Sequence, residues 1–373
     1  MKTKHQSARS STAFSLSTRD VSTLDANVAI DTLNPRRIDE HKGVYTNPCG
    51  RTTHSQQSRL EEPLRDPIAT GFLEQEIGNL PDDNLLVHSD QYSVFVAKAP
   101  QIPAALQEIG RLRESTFRNA NEGTGHAIDL DRFDSHYDHL FLWNEEAREI
   151  VGAYRLGRGD EICERLGAQG LYTNTLFDFQ PDFFGNINPA LELGRTFVRD
   201  EYQKSFPPLF MLWKGIAEYV VRNPRYRILF GPVSISDDYH PMARKLIADC
   251  LSGPTYRHDL ATLVRARNPF REPIDEGGSD AGFPVLADIE SVSSLISEID
   301  SDQRGIPILL KQYLKLGGKV LGFNLDPDFN NVLDALILVD LTSTDNRLLE
   351  RLMGEAGVER FFDYHSIQYQ LAG

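Results

Sequence analysis

Apolar and polar positions alternate along Tyr92–Lys98 (YSVFVAK), and this period of two predicts a strand. From Ile102 to Phe117 the apolar positions recur every three to four residues, which predicts a helix with Pro103 in its first turn. His139–Trp143 and Glu149–Leu156 are apolar runs joined by polar Asn144–Arg148, the pattern of a hairpin. Residues 158–188 are rich in Gly and Asp and read as loop. Leu191–Val198 reads as a strand and Pro208–Val221 as a helix, with Leu209, Leu212, Ile216, Ala217 and Val220 on one face. Tyr226–Ile235 follows as a strand and Pro241–Leu251 as a helix, Pro241 suiting its first position. Beyond a Gly/Pro/Asp-rich linker at 268–284, Ile306–Leu316 reads as a helix, and Lys319–Leu325 and Val332–Leu341 as strands. Strands that alternate with helices predict an α/β (α+β) fold with a mixed sheet.

Residues 1–80 are polar and poor in apolar clusters, so a disordered tail is expected there, with an amphipathic turn near Leu64–Ile77. The ordered domain is then 81–373, with 285–373 completing the sheet. The whole chain has 373 residues, 40% of them hydrophobic, which suits one large domain or two modest ones. Its net charge is −15 and the acidic excess lies after residue 70, which argues against non-specific nucleic-acid binding. No apolar run is long enough to span a bilayer, and the N-terminus lacks the apolar segment of a secretory signal. Cys49, Cys163 and Cys250 are far apart and form no metal-type pair. A reducing cytoplasm is the expected setting.

The strand Leu191–Val198 holds the most unusual chemistry, because Glu192 and Arg195 flank Gly194. Residues three apart on an ideal strand face opposite ways. A bulge at the glycine would turn both side chains towards one cleft. Arg155 interrupts the apolar run Ile150–Leu156 and needs a carboxylate partner, which Asp131, Asp134 or Glu192 can supply. Arg113 and Phe117 lie one helical turn apart. The run Asp134-Ser-His136-Tyr-Asp138-His139 offers metal-ligand types, but its side chains diverge at a helix–strand junction, so no metal is expected. His126 and Asp131 match an H-x4-D acyltransferase dyad, a short pattern that arises often by chance. Cys250 reads as core, and Asp237–Pro241 as a helix cap.

Taken in order, Arg113-x-x-x-Phe117, Asp131-x-x-Asp134, Arg155 and Glu192-x-x-Arg195 resemble the signature of N-acyl-homoserine-lactone synthases. The longer phrases Glu122–Asp134, Ile150–Leu156, Glu192–Val198 and Ile306–Leu341 are more similar to ornithine-lipid N-acyltransferases, often called hemolysin-like. The resemblance spans about Tyr92 to Phe362. It implies a GNAT-like fold with two splayed parallel strands, Leu191–Val198 and Arg227–Ile235. It also implies a donor, the acyl-phosphopantetheine of acyl carrier protein, with no bound cofactor. The pyrophosphate loop R/Q-x-x-G-x-G/A of coenzyme-A-using relatives is missing, which agrees with such a donor.

On that basis a 3-hydroxy fatty acyl group passes to the α-amine of ornithine. Glycine or another amino acid is an alternative acceptor, S-adenosylmethionine a second, and a membrane-binding lytic protein the reading from another class. Glu192 is expected to hold the amine. Arg195 and Arg155 would order the acids and pair the acceptor carboxylate. Asp131 and Asp134 would take a second, cationic amine, and Arg113 and Phe117 would close the cleft. An acidic carrier needs a basic landing site. Lys311, Lys315 and Lys319, which with Arg304 flank an amphipathic helix, and Arg222 and Arg225 at a helix-to-strand corner, are the candidates. The rival reading of that helix is contact with anionic lipid, which would place the enzyme at the inner membrane surface.

Overall fold

The computed structural model describes residues 61–204, 207–252, 255–270, 289–300 and 303–368. Its strands, in chain order, are β1 (Leu85–His88), β2 (Tyr92–Lys98), β3 (Asp138–Asn144), β4 (Glu149–Arg158), β5 (Phe177–Phe179), β6 (Ala190–Val198), β7 (Ile228–Ile235), β8 (Val264–Ala266), β9 (Lys319–Asp326) and β10 (Val332–Asp340). Eight of them form one mixed sheet in the order β1–β2–β3–β4–β6–β7–β10–β9, while β5 and β8 form a separate ribbon. Within the large sheet only β6 and β7 run parallel.

Alternation along each strand feeds two faces. On one, Leu140 and Leu142 of β3 and Leu191 and Leu193 of β6 join Leu212, Ile216 and Val220 of the Pro207–Arg222 helix. On the other, Phe141 and Trp143 meet Ile109 and Leu112 of the Pro103–Asn119 helix. Further along, Phe230, Leu336 and Leu338 cluster with Phe177 and Phe183.

The parallel pair is short. Its register runs Ala190–Ile228, Leu191–Leu229 and Glu192–Phe230, and there it stops, although both strands continue. Gly231 sits at the fork, where a Cβ would collide with the Leu193 carbonyl oxygen. The next residue, Pro232, has no N–H to offer a neighbouring strand. The expected splay is therefore present, and the pairing ends where side-chain bulk is least.

Several expectations change. Residues 1–60 of the expected tail, and 271–288 around the linker, lie outside the described residues. Residues 61–80 do not behave as a tail. Thr70–Gly78 is a helix that buries Leu73 and Ile77 against the Pro103–Asn119 helix, and Glu76 accepts from the Ala104 and Ala105 N–H groups at the start of that second helix. The carboxylate thereby caps donors that no helix can satisfy internally. The stretch read as loop at 158–188 holds the helices Gly159–Leu166 and Pro181–Ile187 and the strand β5. Both helices are only about two turns long, too short for periodicity to show.

Candidate active site

The distortion in β6 is real but falls just past the glycine. Ala153 pairs with Phe197 and Arg155 with Gly194, so Arg195 and Thr196 oppose the single residue Tyr154. This is a bulge, and Arg195 carries it with φ of 50°. A non-glycine residue in that region costs on the order of 1–3 kcal/mol and tends to mark function. Gly194 itself has no positive φ, and a Cβ there would meet nothing within 4 Å.

The bulge brings Glu192 and Arg195 to the same turn, yet not to the same cavity. Glu192 is 1% exposed. Its oxygens accept from the Tyr172 N–H at 3.1 Å, the Thr173 N–H at 2.6 Å and the Tyr137 hydroxyl. That carboxylate is spent on holding the turn at Tyr172–Thr175, so the expectation that it grips the acceptor amine is corrected. Arg195 stacks above the same turn, its guanidinium 4.8 Å from the Tyr172 ring centre and 4.5 Å from that of Phe329. Glu192 thus positions Tyr172, and Tyr172 positions Arg195.

Behind this lies a closed network of three arginines and three aspartates. Arg113 makes a two-pronged contact with Asp134 at 2.9 and 3.0 Å and donates to the Asp129 carbonyl at 3.1 Å. Arg155 reaches Asp131 at 2.6 Å and Asp134 at 3.3 Å. Arg195 lies 3.5 Å from both Asp129 and Asp131. Asp131 caps the short turn Arg132–Ser135 through the Phe133 N–H, and Asp134 returns a bond from the Asp131 N–H. Burial alone would raise both carboxyls. The guanidiniums outweigh it, Arg155 at Asp131 and Arg113 at Asp134, and hold both below the usual carboxylate range.

The aspartates are therefore already paired within the protein, which corrects the reading in which Asp131 and Asp134 await a second amine. Arg113 braces them from beneath rather than closing the cleft. Phe117, one turn further on, does line it. Asp129, absent from the sequence-derived set, is the third acid of the network.

The cavity itself opens at the splay and measures about 130 Å³, where roughly 10–15 Å³ holds one water. Thr196 of β6 and Pro232, Val233 and Ser234 of β7 form its floor, with Val332 and Asp334 of β10 beside them. Phe117, Tyr172, Phe329 and Leu309 add apolar surface, Arg195 supplies a positive charge, and Glu122, Asp326 and Asp334 supply titratable carboxyls. Burial pushes Asp334 up to about 8, with Asp326 and Glu122 adding repulsion. Burial, then Asp238, pushes Glu122 up to about 7. Burial also raises Asp326. Perturbed carboxyls gathered in a cleft mark a functional site.

These three acids were missed in the sequence. Asp334 carried a signal, since it interrupts an apolar strand as Arg155 does. Glu122 and Asp326 lie inside the phrases that carry the family resemblance, but only the fold brings their loops together.

The candidate docking groups divide. Arg222 donates to the Asp83 and Leu85 carbonyls and pairs Glu218, while Arg225 pairs Asp160 and Glu161. Arg222 ties the end of the Pro207–Arg222 helix to the segment entering β1, Arg225 ties the turn before β7 to the Gly159–Leu166 helix, and their charge is compensated by those acids. This corrects their assignment to docking. Lys311 and Lys315 lie on the Ile308–Lys315 helix, whose Leu309 lines the cavity, and Lys319 opens β9. Lys311 pairs Glu290 at 2.9 Å, and Lys315 is exposed. Of the histidines in the metal-type run, His136 bonds the Gly170 carbonyl and His139 the Asp134 carbonyl. Among the described residues no helix is long and apolar enough to cross a membrane.

A mixed sheet forked at its one parallel pair, with a cleft at the fork, defines an acyltransferase of the GNAT class. The model of the acetyltransferase (GNAT) domain matches residues 112–214, which include Arg113, the aspartate network, Arg155, Glu192 and Arg195. A glycine N(alpha)-acyltransferase of Phocaeicola vulgatus is 30% identical over 304 residues, 78% of this chain and 90% of that protein. One of the same name from Bacteroides thetaiotaomicron is 30% identical over 306 residues, 78% and 89% of the two chains. The chain belongs to the family of these N-acyltransferases. A solved coenzyme-A-dependent acyl-homoserine lactone synthase is 11% identical, with a TM-score of 0.33 over 74% of this chain and 89% of that one.

Proposed function

We propose that this enzyme transfers a fatty acyl group, as an acyl-carrier thioester, to the α-amine of glycine. The observation that carries the reading is the closed aspartate network. Asp131 and Asp134, the acids expected to select a diamine, are already paired by Arg113, Arg155 and Arg195. The relatives' names agree with a small acceptor. Arg195, whose Nε makes no hydrogen bond and whose ionic contacts are long, is placed to pair the acceptor carboxylate. Past Glu192 and Phe230 the splayed strands no longer bond each other, so their backbone groups are available to the thioester arm, and an N–H there can hold the developing oxyanion. The apolar side of the cavity suits the acyl chain.

One observation favours a second acceptor. The cavity carboxyls Glu122 and Asp326 can pair a side-chain amine, as ornithine would present. Purified enzyme given 3-hydroxyacyl-carrier protein and either amino acid decides between them by mass spectrometry. Glycine is expected to be acylated at least about tenfold more efficiently, a difference of about 1.4 kcal/mol. Preference for ornithine would overturn the acceptor.

The Ile308–Lys315 helix borders the cleft, so a carrier landing there would deliver its thioester at the mouth. The double variant Lys315→Glu, Lys319→Glu is expected to raise the KM for acyl-carrier protein about tenfold at low salt, with the glycine KM unchanged. An unchanged donor KM removes this docking site.

A further inference from the structure

We propose that Asp334 is the proton acceptor that frees the acceptor amine, held in place by Ser234. This rests on the amino-acid acyl-transfer reading above.

Asp334 is 3% exposed and lines the cavity from β10. It lies directly opposite Ser234 of β7 in the strand register. Its Oδ1 accepts from the Ser234 hydroxyl at 2.7 Å, and its other oxygen has no hydrogen-bond partner among the described residues. The floor of the same cavity is the forked pair, where the thioester arm is expected. No cation forms an ion pair with Asp334 among the described residues, and the field of Arg195 together with the Ser234 hydroxyl only partly offsets its burial, so a chemical role is the more economical reading.

Four of the competing acids are occupied. Glu192 is saturated by two backbone N–H groups and a tyrosine hydroxyl. Asp131 and Asp134 are locked by guanidiniums. Asp326 accepts from the Asp328 N–H, capping its own turn. Glu122 is half-buried on the loop after the Pro103–Asn119 helix and lines the same cavity, but lies off the forked strands. Proton affinity also fits the task, since a carboxyl raised to about 8 is matched to an ammonium far better than an ordinary one.

The chemistry balances as follows. The ammonium group of the acceptor gives one proton to Asp334. The resulting amine attacks the thioester carbonyl, the C–N bond forms and the C–S bond breaks. The second amine proton leaves with the thiolate as free thiol. Asp334 then returns its proton to solvent through the open mouth of the cleft.

The test is Asp334→Asn, assayed with glycine and with hydroxylamine, which is already a free base at neutral pH. With glycine, kcat is expected to fall about 100-fold or more while KM changes little. The acid limb of kcat/KM near pH 8 should give way to that of the amine itself. With hydroxylamine the variant should stay within about threefold of wild type, because no base is needed. Equal losses with both nucleophiles, or an unchanged acid limb with glycine, would overturn the assignment. Wild-type activity with hydroxylamine but none with glycine would sink the acceptor reading alone, and the same comparison run with ornithine then decides Asp334.

Folding is checked independently. A carboxyl raised by burial contributes stability that is present below the ordinary carboxyl range and lost as pH rises through about 8. Asp334→Asn should therefore melt no lower than wild type at pH 9. Ser234→Ala supplies a second variant. Its hydroxyl lowers the Asp334 carboxyl by donating to it, so its loss should move the acid limb to higher pH. A limb that stays in place would remove Ser234 from the proposal.

Discussion

Replacing Arg155 with methionine is expected to destabilise the fold by about 3–5 kcal/mol. Arg155 is 1% exposed and contacts Asp131 at 2.6 Å and Asp134 at 3.3 Å. Around it stand the rings of Phe133, Tyr137 and Tyr172, 5.5, 5.0 and 5.4 Å from its guanidinium carbon. Methionine keeps the packing and removes the charge. Three carboxylates, those of Asp129, Asp131 and Asp134, are then left with Arg113 and Arg195 alone, and the network carries an unmatched negative charge.

The pH dependence of that deficit identifies its cause. In the wild type, Asp131 and Asp134 are held below the usual carboxylate range, so their contribution is present above that range and lost as pH falls through their folded values. In Arg155→Met the burial cost is no longer offset, so protonation relieves it. The deficit should be largest at pH 7–8 and smaller near pH 4. Urea denaturation at several pH values measures it. A loss under about 1 kcal/mol, or one that does not change with pH, would show that the network is not stabilised by charge balance.

The second large effect concerns Arg195. Alanine at this position is expected to lower kcat/KM for glycine by about 100-fold or more, equivalent to roughly 3 kcal/mol and within the range for a buried charge-assisted contact. Most of the loss should fall on the KM for the acceptor, because a carboxylate clamp is made in the ground state as well as in the transition state. Arg195 also faces Asp129 and Asp131, so Arg195→Ala will lose stability too. Arg195→Lys separates the two effects. It keeps the charge that balances the aspartates but loses the planar fork between Tyr172 and Phe329. It should restore most of the melting temperature and little of the acceptor affinity. Recovery of both by lysine would mean that Arg195 serves only the network.

Much of the site's composition was legible in the chain. Arg113, Asp131, Asp134, Arg155 and Arg195 do converge, because charged residues inside apolar runs must find partners when the runs are buried. Their roles were less legible. Glu192 was read as the group that grips the amine, and instead it fastens a backbone turn through Tyr172 and Thr173. Nothing in the strand Leu191–Val198 announces that turn, since the partners lie about twenty positions earlier in an irregular segment. Asp334 shows the opposite case. It interrupts an apolar strand as plainly as Arg155 does, but it forms no ion pair among the described residues, and only the cavity reveals that.

The periodicity of the chain determined the strands of the sheet's centre, the long helices on its faces and the set of charges that must be buried. These depend on local spacing and on the cost of leaving a charge unpaired, and both can be read from neighbours in sequence. The tertiary structure decided how the charges are shared out. Three arginines neutralise three aspartates, one carboxylate is consumed by backbone N–H groups, and Asp334, with Glu122 and Asp326, is left lining the cavity at the fork between β6 and β7. That division follows from distance and burial among residues up to about two hundred positions apart, as between Glu122 and Asp334, or Arg195 and Phe329. Coulombic partners and desolvation are set in three dimensions, so no pattern along the chain could have assigned them.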